Sequence, residues 1–109
     1  MRPGVETERA LSLLGMARRA RALLVGQDKV FAAMGSGDEL FIIASADCSN
    51  NVMRKMLSSK CETLIAEGLS RESLGAAVGV MNAQIVALPC RSGFAKKLKE
   101  LLIGGTLNG

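Results

Sequence analysis

The chain has no histidine, tryptophan or tyrosine, and its aromatic side chains are the phenylalanines at 31, 41 and 94. Without histidine there is no side chain that titrates near neutrality unperturbed, no imidazole metal ligand, and no histidine-activated serine or cysteine nucleophile. Most hydrolytic mechanisms are thereby excluded. The shortage of aromatics also removes the stacking platforms on which single strands are usually laid, so any contact with RNA must rest on backbone and charge. The three cysteines, Cys48, Cys61 and Cys90, form no C-x-x-C pair and leave an odd thiol if any two are bridged. That usage fits a reducing compartment, with each cysteine expected as a small buried core residue. Met1-Arg2-Pro3-Gly4 leads into Glu6 and Glu8 rather than into a long apolar run, and no segment approaches a membrane span. The expectation is a cytoplasmic protein with no metal, no cofactor and no membrane partner.

What is present points to a small globular domain. The 109 residues fit one domain spanning 1–109, with residues 104–109 as a frayed tail. Apolar residues make up 49% of the chain, so the core is aliphatic and methionine-rich, and disorder is excluded. The net charge of +4 divides evenly between the two halves, which leaves no basic tail but favours a polyanionic partner.

Helical and extended patterns alternate along the chain. A first helix is expected from about Glu6 to Ala20, with Thr7 able to cap it and Ala10, Leu13, Leu14 and Ala17 as its apolar stripe. At 100° per residue Arg18 and Arg19 fall off that stripe while Arg21 swings back onto it, so the helix should stop near residue 20, leaving Arg19 and Arg21 in solvent. Leu23-Leu24-Val25 is a short strand, followed by a helix from about Gln27 to Met34. Leu40-Phe41-Ile42-Ile43-Ala44 lacks polar alternation, as a central strand covered on both faces does. Ser49 caps a helix to about Lys60, with Val52, Met53, Met56 and Leu57 on one side, and Thr63-Leu64-Ile65 forms a third strand. Ser70 opens another helix closed by a left-handed Gly79, and Gln84 to Leu88 is the last strand. A final helix from Ser92 turns Phe94, Leu98 and Leu101 or Leu102 inward and Lys96, Lys97, Lys99 and Glu100 mostly outward. The fold class is α/β, a three-layer α/β/α sandwich with a mixed, roughly four-stranded sheet.

Gly26-Gln27-Asp28-Lys29 is the most informative stretch. A glycine turn from strand to helix presents unpaired N–H groups and the positive end of the helix dipole, and Arg18, Arg19 and Arg21 precede it. That is a geometry for receiving phosphate, and it fits an ordinary α/β connection equally well. Functional groups in such folds gather where strand ends meet helix starts, here Gly26 to Lys29, Ser45 to Asn50 and the loops flanking the last strand.

From about Leu11 to Leu101 the motifs occur in the order of a known family. Leu14-Gly15-Met16-Ala17-Arg18-Arg19-Ala20, Gly26 opening a helix, Ser45-Ala46-Asp47, Lys60-Cys61-Glu62, Leu74-Gly75-x-Ala77-x-Gly79 and Gly93-Phe94-Ala95-Lys96-Lys97 resemble the bacterial branch of the kink-turn-binding ribosomal proteins, the large-subunit seven-Ae and thirty-e type. The resemblance implies an α/β/α domain that grips RNA kink-turns through three loops at one end of the sheet. Carried over by position, these are Gly26, Gln27, Asp28 and Lys29, then Ala46 and Asp47, then Val80, Met81 and Asn82, the last packing against an extruded base. It implies structured RNA as the partner, a kink-turn or ribosomal RNA, with other ribosomal proteins as a further partner class.

The chain departs from that pattern at the first loop. The relatives resembled carry Gly-x-Asn-Glu followed two residues later by Thr-Lys, where this chain has Gly26, Gln27, Asp28, Lys29, Val30, Phe31 and Ala32. Aspartate offers no amide hydrogens to a base edge, and Ala32 removes a phosphate partner that Lys29 restores a helical turn earlier in a different direction. The relatives also place glycine where Arg21 stands, so a left-handed turn there would carry strain.

Two functional readings stay open, a non-enzymatic binder of structured RNA, ribosomal or ribosome-associated, and a protein-interaction module on the same scaffold that has lost kink-turn recognition. An enzyme or nucleotide binder is disfavoured, because G-x-x-x-x-G-K-[ST] and G-x-G-x-x-G are both missing. Asp47 after a strand reads as a helix-capping or loop acid rather than half of a catalytic pair.

Overall fold

Leu40–Ser45 is a strand buried at every position, the arrangement its unbroken apolar run requires. The computed structural model describes residues 4–103, so the expected tail at 104–109 lies outside the described residues. In chain order the elements are α1 (Gly4–Arg19), β1 (Leu24–Val25), α2 (Gln27–Gly35), β2 (Leu40–Ser45), α3 (Asn50–Leu57), β3 (Glu62–Ala66), α4 (Arg71–Val78), β4 (Ile85–Pro89) and α5 (Gly93–Leu102). The four strands form one sheet in the order β1-β4-β2-β3, with β2 and β3 parallel and β4 antiparallel to both β1 and β2. The expected mixed α/β/α sandwich is what the chain adopts.

Side-chain alternation along the two inner strands divides the core. Phe41, Ile43, Val86 and Leu88 pack with Leu14 and Ala17 of α1, Leu74 and Val78 of α4, and Leu98 of α5. Leu40, Ile42, Ala44, Ile85 and Ala87 pack on the opposite face with Val30 of α2 and with Val52 and Met56 of α3. Because consecutive strand residues point to opposite faces, one apolar run serves two cores. Burying a side chain of this size contributes about 1.5–3 kcal/mol, which is why no polar residue interrupts either inner strand before Ser45.

Local chemistry moves several boundaries from where periodicity puts them. Thr7 lies inside α1 rather than capping it, and its hydroxyl would stand 2.7 Å from a Cβ on Gly68. α3 ends at Leu57, short of Lys60, because the hydroxyls of Ser58 and Ser59 turn back and donate to the carbonyls of Lys55 and Met56 at 2.9 and 2.8 Å. Leu57 is 54% exposed instead of joining Val52 and Met56 in the core. Lys99 is half-buried, paired with Glu62 and seated over the Phe41 ring. Of the cysteines only Cys48 is buried; Cys61 and Cys90 are half-exposed and line a cleft at the end of the sheet where β2 and β3 begin.

The return from α4 to β4 depends on a glycine. Val80 N–H donates to the Gly75 carbonyl at 2.9 Å, Ala83 N–H donates to the Arg71 carbonyl at 3.1 Å, and Gly79 takes the left-handed conformation that the sequence leads one to expect. The segment thus doubles back along the helix it has just left. A Cβ on Gly75 would stand 2.8 Å from both Asn82 Cα and Met81 O, closer than side chains tolerate. Gly75→Ala is accordingly expected to lower stability by about 1–3 kcal/mol, the usual cost of overpacking a site backed by main chain. Urea denaturation measures this, and a loss under roughly 0.5 kcal/mol would mean that the two backbones separate freely.

Candidate nucleic-acid interface

Because β4 runs against its neighbours, its first residues stand beside the last residues of β1 and β2. Gly26 N–H donates to Ile85 O at 3.0 Å, and Ser45 N–H to Gln84 O at 2.9 Å. Gly26 to Lys29, Ala46 with Asp47, and the segment leading through Asn82 into β4 therefore share one end of the sheet. These are the three loops singled out in the sequence.

At the first loop Gly26 is the N-cap of α2, with φ 95° and ψ 155°, and no side chain caps the helix. That backbone region belongs essentially to glycine. The three helices that follow are capped by serine hydroxyls, Ser49 on Val52 N–H, Ser70 on Ser73 N–H and Ser92 on Phe94 N–H. α2 thus keeps its first-turn amides for something other than its own cap. A Cβ on Gly26 would meet nothing within 4 Å, so the turn is open to close approach from outside. Gln27, Asp28 and Lys29 are all exposed.

The second loop is locked to the start of α4. Asp47 Oδ1 accepts the main-chain N–H of Arg71 at 2.9 Å, and Arg71 Nε donates to the Asp47 carbonyl at 2.9 Å. Asp47 is therefore the capping acid expected, though for a helix 24 residues further along the chain. Partial desolvation pushes its carboxyl up, but the nearby Ser45 hydroxyl, the Arg71 main-chain bond and the Arg71 guanidinium outweigh that and hold it below the ordinary value of 3.8. Ser45 is fully buried, and among the described residues its Oγ has no partner at hydrogen-bonding geometry. Ala46 N–H donates to Leu69 O at 2.8 Å, which closes the loop against the turn after β3.

Arg71 is the residue that sequence reasoning missed. Together with Gly26, Gln27, Asn82, Ala83 and Gln84 it lines a cleft of about 300 Å³ between the first and third loops. The sequence did hold a signal for it: an arginine in the first turn of a helix opposes the helix dipole and needs a reason to be there. Its Nε is committed to the Asp47 carbonyl, which holds the guanidinium in place at the cleft. Gln84 braces the same cleft, its Oε1 accepting Ser49 N–H at 2.6 Å.

The third loop presents side chains. Met81 is 86% exposed and Val80 37%, on a backbone fixed by Gly75. Arg18, expected as a phosphate contact, also donates from its guanidinium to the Val78 carbonyl at the end of α4, where it steadies that loop. Arg19 and Arg21 are exposed as expected. Arg21 adopts φ 60°, the left-handed conformation that costs a non-glycine residue about 1–2 kcal/mol. A charged side chain is thus retained at a position whose backbone favours glycine.

No protein-family model matches the chain. It is 32% identical over 93 residues to the RNA-binding protein YlxQ of Bacillus subtilis, a match covering 83% of this chain and 91% of that protein. A Bacillus halodurans protein of unknown function has a solved structure that superposes with a TM-score of 0.75 at 32% identity, covering 86% of this chain and 96% of the other. The Giardia lamblia 15.5kD RNA binding protein superposes with a TM-score of 0.63 at 14% identity over 94% of this chain and 86% of that one, a likeness of fold alone.

The Asp47 cap has a pH signature. Folding lowers its carboxyl pKa, so the stabilisation is complete above 3.8 and is lost as pH falls through the lower folded value. Urea midpoints measured on acidification should drop more steeply for the native chain than for Asp47→Asn, which is already weaker at neutral pH and keeps only the acid sensitivity of groups such as Glu62, held low by Lys99. Parallel profiles for the two proteins would remove the cap from the account.

Proposed function

This chain belongs to the seven-Ae (L7Ae-like) family that includes the RNA-binding protein YlxQ, and we propose from that premise that it binds structured RNA and catalyses no reaction. The observation that carries the reading is the cleft that Arg71 lines between the first and third loops, at the start of α2, which no side chain caps. The uncapped first turn of α2 receives a phosphate, and Lys29, Arg19 and Arg21 supply mobile positive charge beside it. Gly26 and Ala46 admit the sugar-phosphate backbone closely because neither has a side chain beyond a methyl. Met81 and Val80 offer an apolar rest for a base turned out of its helix.

The ligand in this reading is a sharply bent RNA, kink-turn-like, recognised through its shape. Asp28 supplies no amide donor and places a negative charge in the first turn, so base-edge contacts contribute less here than backbone contacts do. A ribosomal or ribosome-associated setting in the cytoplasm follows, and the three free thiols support a reducing compartment. A second reading, a protein-interaction module, is favoured by one feature only, the exposure of Met81.

Titration of the full chain with a kink-turn RNA and with an unbent duplex of the same length, over a range of salt, tests this. The bent RNA should bind more tightly. Arg71→Ala and Lys29→Ala should each weaken it roughly tenfold and lower the salt slope by about one, and Asp28→Asn should strengthen it. Equal binding of both RNAs, unmoved by either alanine change, would refute the proposal, and a nuclease-resistant protein complex would then favour the second reading.

A further inference from the structure

Gln84, just ahead of β4, is held from more than one side. Its carbonyl accepts the Ser45 N–H at 2.9 Å, and the carbonyl of the next residue, Ile85, accepts the Gly26 N–H at 3.0 Å. Its side chain reaches to the start of α3, 35 residues away in the chain, where Oε1 accepts the Ser49 N–H at 2.6 Å. A main-chain N–H bonds only to an acceptor, so this contact decides which end of the carboxamide is oxygen. The NH2 group is the end left to offer the cleft. Gln84 is half-buried and lines that cleft of about 300 Å³ with Arg71 and Gly26.

Three carboxamides border the cleft, those of Gln27, Asn82 and Gln84, and they differ in what they can distinguish. Gln27 and Asn82 are exposed, and an exposed carboxamide turns over to present oxygen or NH2 as its partner demands. Such a group discriminates poorly between base edges. Gln84 cannot turn over without exchanging the Ser49 bond for a donor set against a donor. It is therefore the one of the three that presents a fixed chemical sign, and its side chain is already ordered before any ligand arrives.

We infer that Gln84 is a specificity-determining residue of this cleft: its NH2 group donates to the keto oxygen of one unpaired base, O6 of a guanine or O4 of a uracil. The inference rests on the RNA reading proposed above. Adenine and cytosine carry an amine at the corresponding position, which would set donor against donor. The two-point pairing of glutamine with adenine uses oxygen and nitrogen together, and here the oxygen is turned to Ser49. Arg71 stands in the same cleft, and its guanidinium suits phosphate, so charge meets charge and the neutral amide is left to the base. The cleft is at the small end for ligand sites, which matches a single base rather than a run of them.

Titration of the full chain with kink-turn RNAs that differ only in one unpaired nucleotide, each such position set in turn to G, U, A or C, tests this. At one position the native chain should bind G or U about three- to tenfold more tightly than A or C, the worth of one hydrogen bond. Gln84→Met, similar in length but without the amide, should bring that ratio to about one. Gln84→Glu keeps an oxygen for Ser49 and replaces NH2 by a second acceptor, so the preference should reverse toward A or C. Its added charge weakens all four RNAs alike and drops out of the ratio. A residue that only braced the loop would, as Met, weaken folding or all four RNAs together and leave the ratio unmoved. No keto preference at any unpaired position, or one that survives in both variants, would overturn the inference while RNA binding and its loss in Arg71→Ala still stood. Failure of every RNA to bind the native chain would overturn both readings.

Discussion

The antiparallel insertion of β4 between β1 and β2 is the constraint from which the rest of the molecule follows. Had β4 run parallel to its neighbours, its first residues would stand at the far end of the sheet, and the segment from Val80 to Gln84 would be a strand length away from Gly26 and Asp47. Two hydrogen bonds, Gly26 to Ile85 and Ser45 to Gln84, record the junction that this topology creates. What holds the insertion is burial: Ile85, Val86, Ala87 and Leu88 are fully enclosed, and at that density a shift of register would move large side chains into space shaped for small ones.

Within this frame the loops are fixed by different means, each suited to what the loop presents. Gly26 leaves amides open because a glycine-only backbone takes the place of a capping side chain. Asp47, exposed at the surface, accepts the Arg71 main-chain N–H at the start of α4 and so also holds the Arg71 guanidinium in place. Val80 and Met81 expose apolar atoms because the main chain beneath them is pinned. Main chain fixed in this way would suit the bent RNA proposed above, since little conformational entropy is lost when such a surface docks.

The elements that periodicity describes well were legible in the sequence. Leu40 to Ala44 could only be a doubly covered strand, and Ser49, Ser70 and Ser92 announced the helices they cap. The breaks that were misplaced have a common cause, a short polar side chain acting on distant or adjacent main chain. Ser58 and Ser59 end α3 through carbonyls that a hydrophobic pattern does not register, and Thr7 packs on Gly68, 61 positions away in the chain. Arg71 escaped notice because a pattern scan treats a first-turn arginine as solvent-facing, and only the pairing with Asp47 across two elements turns it toward the cleft. Leu57 fell outside the core because the helix stripe is narrower than spacings of three and four suggest when the sheet below ends at an edge strand.

Gly75 ties mechanics to chemistry. With no room between α4 and the chain at Met81 and Asn82, that stretch cannot be pushed inward without shifting the helix as a body. The opposite end of that short rod bears Arg71. One short helix therefore sets the place of both the apolar loop and the guanidinium across the cleft, and the space a missing methyl group leaves is what lets them be so near.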